Sequence, residues 1–185
     1  MHQLVLLAKS AVENYIKERR VIAPPADLPD EFLKRKAGTF VTIEKDDELR
    51  GCIGTFLPTR KNIVEEIINN AVAAATEDYR FGPIQKEEFP YLSYTVYILS
   101  EPELAKDISE LDPKKYGIIV KNTPVSSSGE VVFNGHFVAK TGLLLPDLEG
   151  VDTIEQQIEI CCQKGGIDST REKILIYKFT VEKYQ

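Results

Sequence analysis

Apolar residues recur every three or four positions in three segments of the chain, which is the spacing of one face of an α-helix. The first segment runs from about residue 2 to 20 and the second from about 60 to 77. The third begins at Thr153, where a glutamine three residues later completes a capping box, and stops at Gly165-Gly166. The pattern therefore predicts three amphipathic helices, with a proline-rich loop over 21–31 after the first.

Other segments are rich in β-branched and aromatic residues or alternate between apolar and polar positions, as strands do. Residues 39–43 and 48–54 flank the turn signal Asp46-Asp47 and predict a hairpin. Further strands are expected at 92–100, 118–120, 131–133 and 173–184, with an exposed loop at 122–129 and a short buried apolar segment at 143–145. Strands in hairpins with helices between them favour an α+β fold, with a mixed, mostly antiparallel sheet and flanking helices.

Length and composition limit the kinds of protein this chain can be. At 185 residues it suits one domain, or one domain with a smaller lobe, and 43% hydrophobic and 28% charged residues are typical of globular proteins. No window is long and apolar enough for a membrane span, and the N-terminal segment does not resemble a secretory signal. The net charge of −6 argues against nucleic-acid binding. Three cysteines without a disulfide framework favour the cytoplasm.

The sharpest chemical feature is Leu-Arg-Gly-Cys-Ile-Gly at 49–54. On a regular strand Leu49, Gly51 and Ile53 share one face, and Arg50, Cys52 and Gly54 share the other. The first set suits a core. A guanidinium beside Cys52 would favour the thiolate, and the absence of side chains at the two glycines would let a ligand or another backbone approach. The alternative is a small buried cysteine in a tightly packed strand.

A second polar cluster follows directly after the second helix. Asp78, Arg80 and Phe81 lie in the string Glu-Asp-Tyr-Arg-Phe-Gly-Pro. One interpretation is the edge of a cleft that handles an anion or a carboxylate. The other is an ion pair that orders a turn, with Phe81 placed in the core.

Other candidate sites are weaker. His136 could form a dyad with Cys52, although no spacing requires the two to meet, and an ordinary structural histidine is the default. Cys161 and Cys162 point about 100° apart on a helix and cannot jointly hold one metal ion, so core packing is the better interpretation of Cys161. No dinucleotide, P-loop or serine-elbow motif is present, so we expect no metal and no cofactor.

The strings LRGCIGTF, AAATEDYRFGPI, LSEPE and GLLLP follow one another in this order along the chain. This arrangement resembles the AMMECR family, whose prokaryotic members are called AmmeMemoRadiSam system protein A, over about residues 4 to 184. Relatives often have a tryptophan after the glycine where this chain has Gly150-Val151, and a glutamine where it has Asp147.

The resemblance implies a cytosolic α+β fold with a larger and a smaller lobe, and a cleft at the signature residues 49–54. It also implies that Asp78, Arg80 and Phe81 form the second family motif. The resemblance implies a Memo-type protein and a radical S-adenosylmethionine enzyme as partners. It implies no established activity. Two functions follow as expectations. The chain is an enzyme or enzyme component centred on Cys52 that handles a small anionic or carboxylate substrate, or it is a non-catalytic adaptor that uses the same cleft.

Overall fold

Helices and strands alternate in groups along the chain in the computed structural model, which describes residues 1–123 and 139–185. The α-helices are α1 (Gln3–Glu18), α2 (Asp30–Lys34), α3 (Ile63–Thr76) and α4 (Ile154–Gly165). The strands are β1 (Thr39–Lys45), β2 (Glu48–Thr55), β3 (Leu92–Leu99), β4 (Glu103–Leu104), β5 (Gly117–Thr123), β6 (Thr141–Leu144), β7 (Lys173–Phe179) and β8 (Val181–Tyr184). Short 3-10 helices span Lys86–Tyr91 and Ile108–Glu110.

The first of two units comprises Met1–Glu101 and Glu182–Gln185. Its four-stranded sheet has the order β2-β1-β3-β8, and β1 runs antiparallel to both β2 and β3. Helices α1 and α3 pack against one face of this sheet, because their apolar stripes meet alternate buried residues of β1 and β3. The core is formed by side chains such as Leu4, Ala8, Val41, Ile43, Ile67, Ala71, Val96 and Ile98.

The predicted hairpin is confirmed, and its turn has a clear physical basis. Asp46 and Asp47 both adopt positive φ angles, 52° and 66°, and Lys45 pairs with Glu48. Two-residue hairpin turns favour this left-handed backbone because its twist matches that of the strands, and aspartate tolerates it well. The strand pairing therefore starts from a fixed register at the turn.

The second unit comprises Pro102–Val181 and contains the sheet β4-β7-β5-β6, whose strand pairs are antiparallel. Helix α4 packs on β5 and β6. The predicted capping box starts this helix: the backbone N–H of Gln156 donates to the Thr153 hydroxyl, and the backbone N–H of Thr153 donates to the side-chain amide oxygen of Gln156. Gly166, with a φ of 63°, ends it as expected.

The α+β class with antiparallel pairing and flanking helices is confirmed, and the three predicted helices are present. The single strand predicted for 173–184 is wrong, because the chain leaves β7 at Thr180 and joins the other sheet as β8. The expected sheet is in fact two sheets. Helix α2 was not predicted, since five residues are too few to show periodicity. The strand expected at 131–133 and most of the loop at 122–129 lie outside the described residues. Within the described ranges, no helix has the length and apolar character needed to span a membrane.

Candidate functional site

Cys52 lies on β2, which is the edge strand of the first sheet. It pairs with Thr42 of β1, whose neighbours Val41 and Ile43 point into the core. Because paired residues project from the same face of a sheet, Cys52 points away from the core. Its side chain is half-buried. The structure therefore does not support the alternative of a small buried cysteine in a tightly packed strand.

An irregularity in the pairing determines this direction. Ile43 pairs with Gly51 but Glu44 pairs with Leu49, so Arg50 is an extra residue in β2. Such a bulge moves the side chains of the residues that follow it to the opposite face of the sheet. The expectation that Leu49 shares a core face with Ile53 is wrong, since Leu49 is paired on the outer face and 44% exposed.

The two glycines of the motif make close contacts with protein atoms. A Cβ at Gly51 would collide with the carbonyl oxygen of Ala74, so Gly51 allows the backbone of α3 to contact β2. A Cβ at Gly54 would collide with the ring of Phe40 and the carbonyl of Thr39. Gly51 therefore admits a helix backbone, and Gly54 admits an aromatic ring on the outer face.

The sulfur of Cys52 accepts a hydrogen bond from the Thr42 hydroxyl at 3.3 Å. On the same face, burial raises the pKa of Tyr97, and the charges of Cys52 and Glu44 raise it further. Neither Thr42 nor Tyr97 was expected from the sequence. Finding Thr42 would have required knowledge of the bulge, because a regular hairpin pairs Cys52 with residue 41.

Asp78 lies just after α3 and fixes the backbone of Cys52. Its side chain is 4% exposed, and Oδ2 accepts the Cys52 N–H at 2.9 Å. Arg80 donates to the same carboxylate from Nε at 2.9 Å and from Nη2 at 2.7 Å. The hydrogen bond from Arg80 is the main cause that lowers the pKa of Asp78 to about 2, against the opposing effect of burial. Asp78 is therefore an anion at neutral pH.

Arg80 and Phe81 complete this side of the site. The side chain of Arg80 is 44% exposed, and its Nη2 lies 3.5 Å from the Cys52 carbonyl oxygen. Hydrogen bonding to Asp78 raises the pKa of Arg80, and the charge of Cys52 adds to the effect. Phe81 is half-buried, with the Arg80 and Arg50 guanidinium carbons 5.4 and 6.0 Å from its ring centroid. The structure thus brings Cys52, Asp78, Arg80 and Phe81 together.

Arg50 has a different partner from the one its place in the motif suggests. Nε and Nη2 donate to the Glu88 carboxylate at 2.9 and 3.0 Å, and Nη1 donates to the Gly82 carbonyl at 2.9 Å. The Arg50 hydrogen bond also lowers the pKa of Glu88 to about 2. These contacts join the hairpin to the segment 82–88, so Arg80 is the guanidinium that contacts Cys52. The role of Glu88 was not expected, because nothing in the sequence distinguishes it from the many other acidic residues that could pair with Arg50.

The remaining candidates lie elsewhere. His136 is outside the described residues, so its distance from Cys52 stays a matter of prediction. Cys161 is buried in the core of the second unit, as expected, and Cys162 is buried there too. Burial raises the pKa of Cys161 to about 11 and that of Cys162 above its ordinary value.

Comparison with known proteins supplies the family. The family model AMMECR1 matches residues 5–184. The chain belongs to the AMMECR1 family. A protein from Thermotoga maritima is 47% identical over the whole of this chain and 98% of its own length. A relative from Clostridium acetobutylicum is 41% identical over 98% of this chain, but that match covers only 35% of the longer relative.

A solved structure supports the same fold for this AMMECR1-family chain. An uncharacterized protein from Pyrococcus horikoshii matches with a TM-score of 0.81 and 33% sequence identity. The match covers 97% of this chain and 88% of the other.

Proposed function

We propose that this AMMECR1-family protein is an enzyme, or the thiol-bearing component of an enzyme system, that handles a small anionic or carboxylate-bearing substrate at Cys52. The observation that supports this proposal most is the environment of Cys52. Its backbone is held by Asp78 and approached by Arg80, while its sulfur stands half-buried on the outer face beside the Thr42 hydroxyl. A hydroxyl donor and a nearby guanidinium both favour a thiolate.

The residues have distinct roles in this proposal. The Cys52 thiolate is the nucleophile: its lone pair bonds to an electrophilic substrate carbon, and the displaced electron pair moves onto a substrate oxygen. Arg80 orients the substrate carboxylate. Its side chain is exposed, and its Nη1 amino group has no hydrogen-bond partner among the described residues. Asp78 holds Arg80 in place, since a carboxyl with a pKa of about 2 is a weak base at neutral pH.

Arg50 supports this arrangement from outside it. Its bidentate bond to Glu88 and its bond to the Gly82 carbonyl hold the segment after Phe81 against β2. Bidentate guanidinium–carboxylate pairs fix geometry more strictly than single contacts do. Arg50 is therefore a positioning residue in this proposal, although it belongs to the motif.

We further propose a cytoplasmic setting and functional partners. None of the three cysteines, all of them described, forms a disulfide, which suits a reducing compartment. The match to about a third of a longer Clostridium chain supports a domain that works beside others. A Memo-type protein and a radical S-adenosylmethionine enzyme remain the proposed partners.

The alternative function is a non-catalytic adaptor that uses the same surface. Tyr79 favours it, because this ring is 96% exposed between Asp78 and Arg80. Exposed aromatic residues are frequent anchors of protein interfaces. In this case the Cys52 region would recognise a partner without a covalent step.

The rate of Cys52 alkylation by iodoacetamide as a function of pH separates the two functions. Mass spectrometry of the intact protein and its peptides assigns the label, and Cys52→Ser provides the blank. Rapid alkylation of Cys52 at a pH below that at which free cysteine reacts supports the thiolate enzyme. A thiol that reacts no faster than free cysteine at any pH contradicts it and leaves the adaptor. Cys52→Ser should also keep its melting temperature, because the sulfur does not fill the core.

A further inference from the structure

Two rows of residues cross the outer face of the first sheet side by side. The strand pairing places Cys52, Thr42 and Thr95 in one row, and Gly54, Phe40 and Tyr97 in the next. We call these the polar row and the aromatic row. Both rows project from the face opposite the core formed by Val41, Ile43, Val96 and Ile98.

The aromatic row lies next to the row of Cys52 on the same face of the sheet. The ring of Phe40 lies over Gly54, because a Cβ at that glycine would collide with the ring. Tyr97 is paired with Phe40, and both side chains are half-buried. Burial is the larger cause of the raised pKa of Tyr97, and the charge of Cys52 adds to it.

One end of the polar row lies next to the guanidinium of Arg80. The Thr42 hydroxyl contacts the Cys52 sulfur at 3.3 Å, and Arg80 reaches the Cys52 carbonyl from beyond the edge of the sheet. Thr95 is 4% exposed and accepts a hydrogen bond from the Gln185 amide, so it closes the other end of the row. The Thr42 hydroxyl already donates to the sulfur, so an oxygen-bearing group finds its donor at Arg80, and the aromatic row lies next to the polar row.

We propose that the ligand of the Cys52 site is a small molecule in which a planar apolar group is joined to a carboxylate or carbonyl. The planar group rests on Phe40 and Tyr97, and the oxygens face the guanidinium of Arg80. This inference rests on the proposed function and adds the substrate class to it. Two aromatic side chains provide a large contact area at a small cost in side-chain entropy, and Arg80 is complementary to a carboxylate.

Three alkylating probes test this ligand class without knowledge of the reaction. Iodoacetamide is small and neutral, iodoacetate adds a carboxylate, and N-benzyl iodoacetamide adds a planar apolar ring. Each transfers its carbon to the Cys52 sulfur and releases iodide. Second-order rates are measured for the whole protein and for glutathione. We expect the ratio of the benzyl rate to the iodoacetamide rate to be about threefold to tenfold higher at Cys52 than at glutathione.

Matched variants assign the preference to the aromatic row. Tyr97→Leu and Phe40→Leu should each bring the ratio towards that of glutathione, with the melting temperature showing that the chain still folds. Tyr91→Leu is the control, because Tyr91 is an aromatic residue that is 58% exposed and belongs to neither row. It should leave the ratio unchanged.

The outcomes separate this inference from the proposed function. If Cys52 reacts readily but shows the same ratio as glutathione, the planar ligand class is wrong and the thiolate site stands. If Cys52 reacts no faster than free cysteine with all three probes, both are wrong. A raised ratio that survives both Tyr97→Leu and Phe40→Leu also overturns the aromatic row as its cause.

Discussion

The carboxylate of Asp78 accepts the backbone N–H of Cys52 at 2.9 Å, across the open edge of β2. An edge strand has unpaired backbone groups that another strand can bind. Here a side chain occupies the N–H, and Arg80, held by the same carboxylate, approaches the Cys52 carbonyl oxygen. The Asp78–Arg80 pair therefore blocks the addition of another strand at Cys52.

The first prediction concerns the pH dependence of stability. The pKa of Asp78 is about 2 in the fold, below the value of about 3.9 for an unfolded aspartate. A lowered pKa contributes stability above the unfolded value, and this contribution is lost as the pH falls towards 2. Asp78→Asn should therefore lower the free energy of unfolding at pH 7 by about 2 kcal/mol and flatten its fall between about pH 4 and pH 2.

Urea unfolding at several pH values measures this effect. Asp27→Asn is the control, because it neutralises an exposed aspartate and should reproduce the wild-type curve. An Asp78→Asn protein that loses stability towards pH 2 as steeply as the wild type would contradict the assigned role of this carboxylate. Glu88, whose pKa is also about 2, keeps part of the pH dependence in the variant.

The second prediction separates the two arginines. Arg50→Lys cannot reproduce the bidentate bond to Glu88, so the free energy of unfolding should fall by about 1–2 kcal/mol. The ratio of iodoacetate to iodoacetamide alkylation at Cys52 should stay unchanged. Arg80→Gln should lower that ratio by about twofold to fivefold, since the exposed cation beside the Cys52 carbonyl oxygen is lost. A larger change in the ratio for Arg50→Lys than for Arg80→Gln would reverse the assignment.

The sequence predicts the elements of this fold well where local signals are strong. The capping box at Thr153 and the turn at Asp46-Asp47 act within a few residues, so each specifies its own structure. The division of 173–184 between two sheets depends on contacts with β3 and β5, which are distant in sequence, and no local pattern encodes it.

The site is predictable only in part for the same reason. Cys52, Asp78 and Arg80 are recognisable from residue types and from the family motif. Their contacts depend on the bulge at Arg50, which turns Cys52 from the side of Val41 to the side of Thr42. A bulge is set by the packing of two strands and a helix, so Thr42 and Glu88 could not be assigned from the sequence.

The third prediction concerns Gly51. A side chain there would collide with the backbone carbonyl of Ala74, and neither α3 nor β2 can move alone because both belong to the core. Gly51→Ala should lower the free energy of unfolding by about 1–3 kcal/mol. Gly82→Ala is the matched control, since a Cβ there meets nothing within 4 Å. It should be neutral or stabilising by up to about 1 kcal/mol, and equal losses in the two variants would refute the close contact.

The fourth prediction concerns the hydroxyl that contacts the sulfur. Thr42→Val removes the donor and keeps a β-branched side chain on β1, so the strand should be preserved. Loss of a hydrogen bond to the thiolate should slow iodoacetamide alkylation of Cys52 at pH 7 by about threefold to tenfold and move its pH profile upwards. Thr42→Ser retains the hydroxyl and should behave like the wild type. If both variants alkylate at the wild-type rate, the Thr42 hydroxyl has no influence on the thiol.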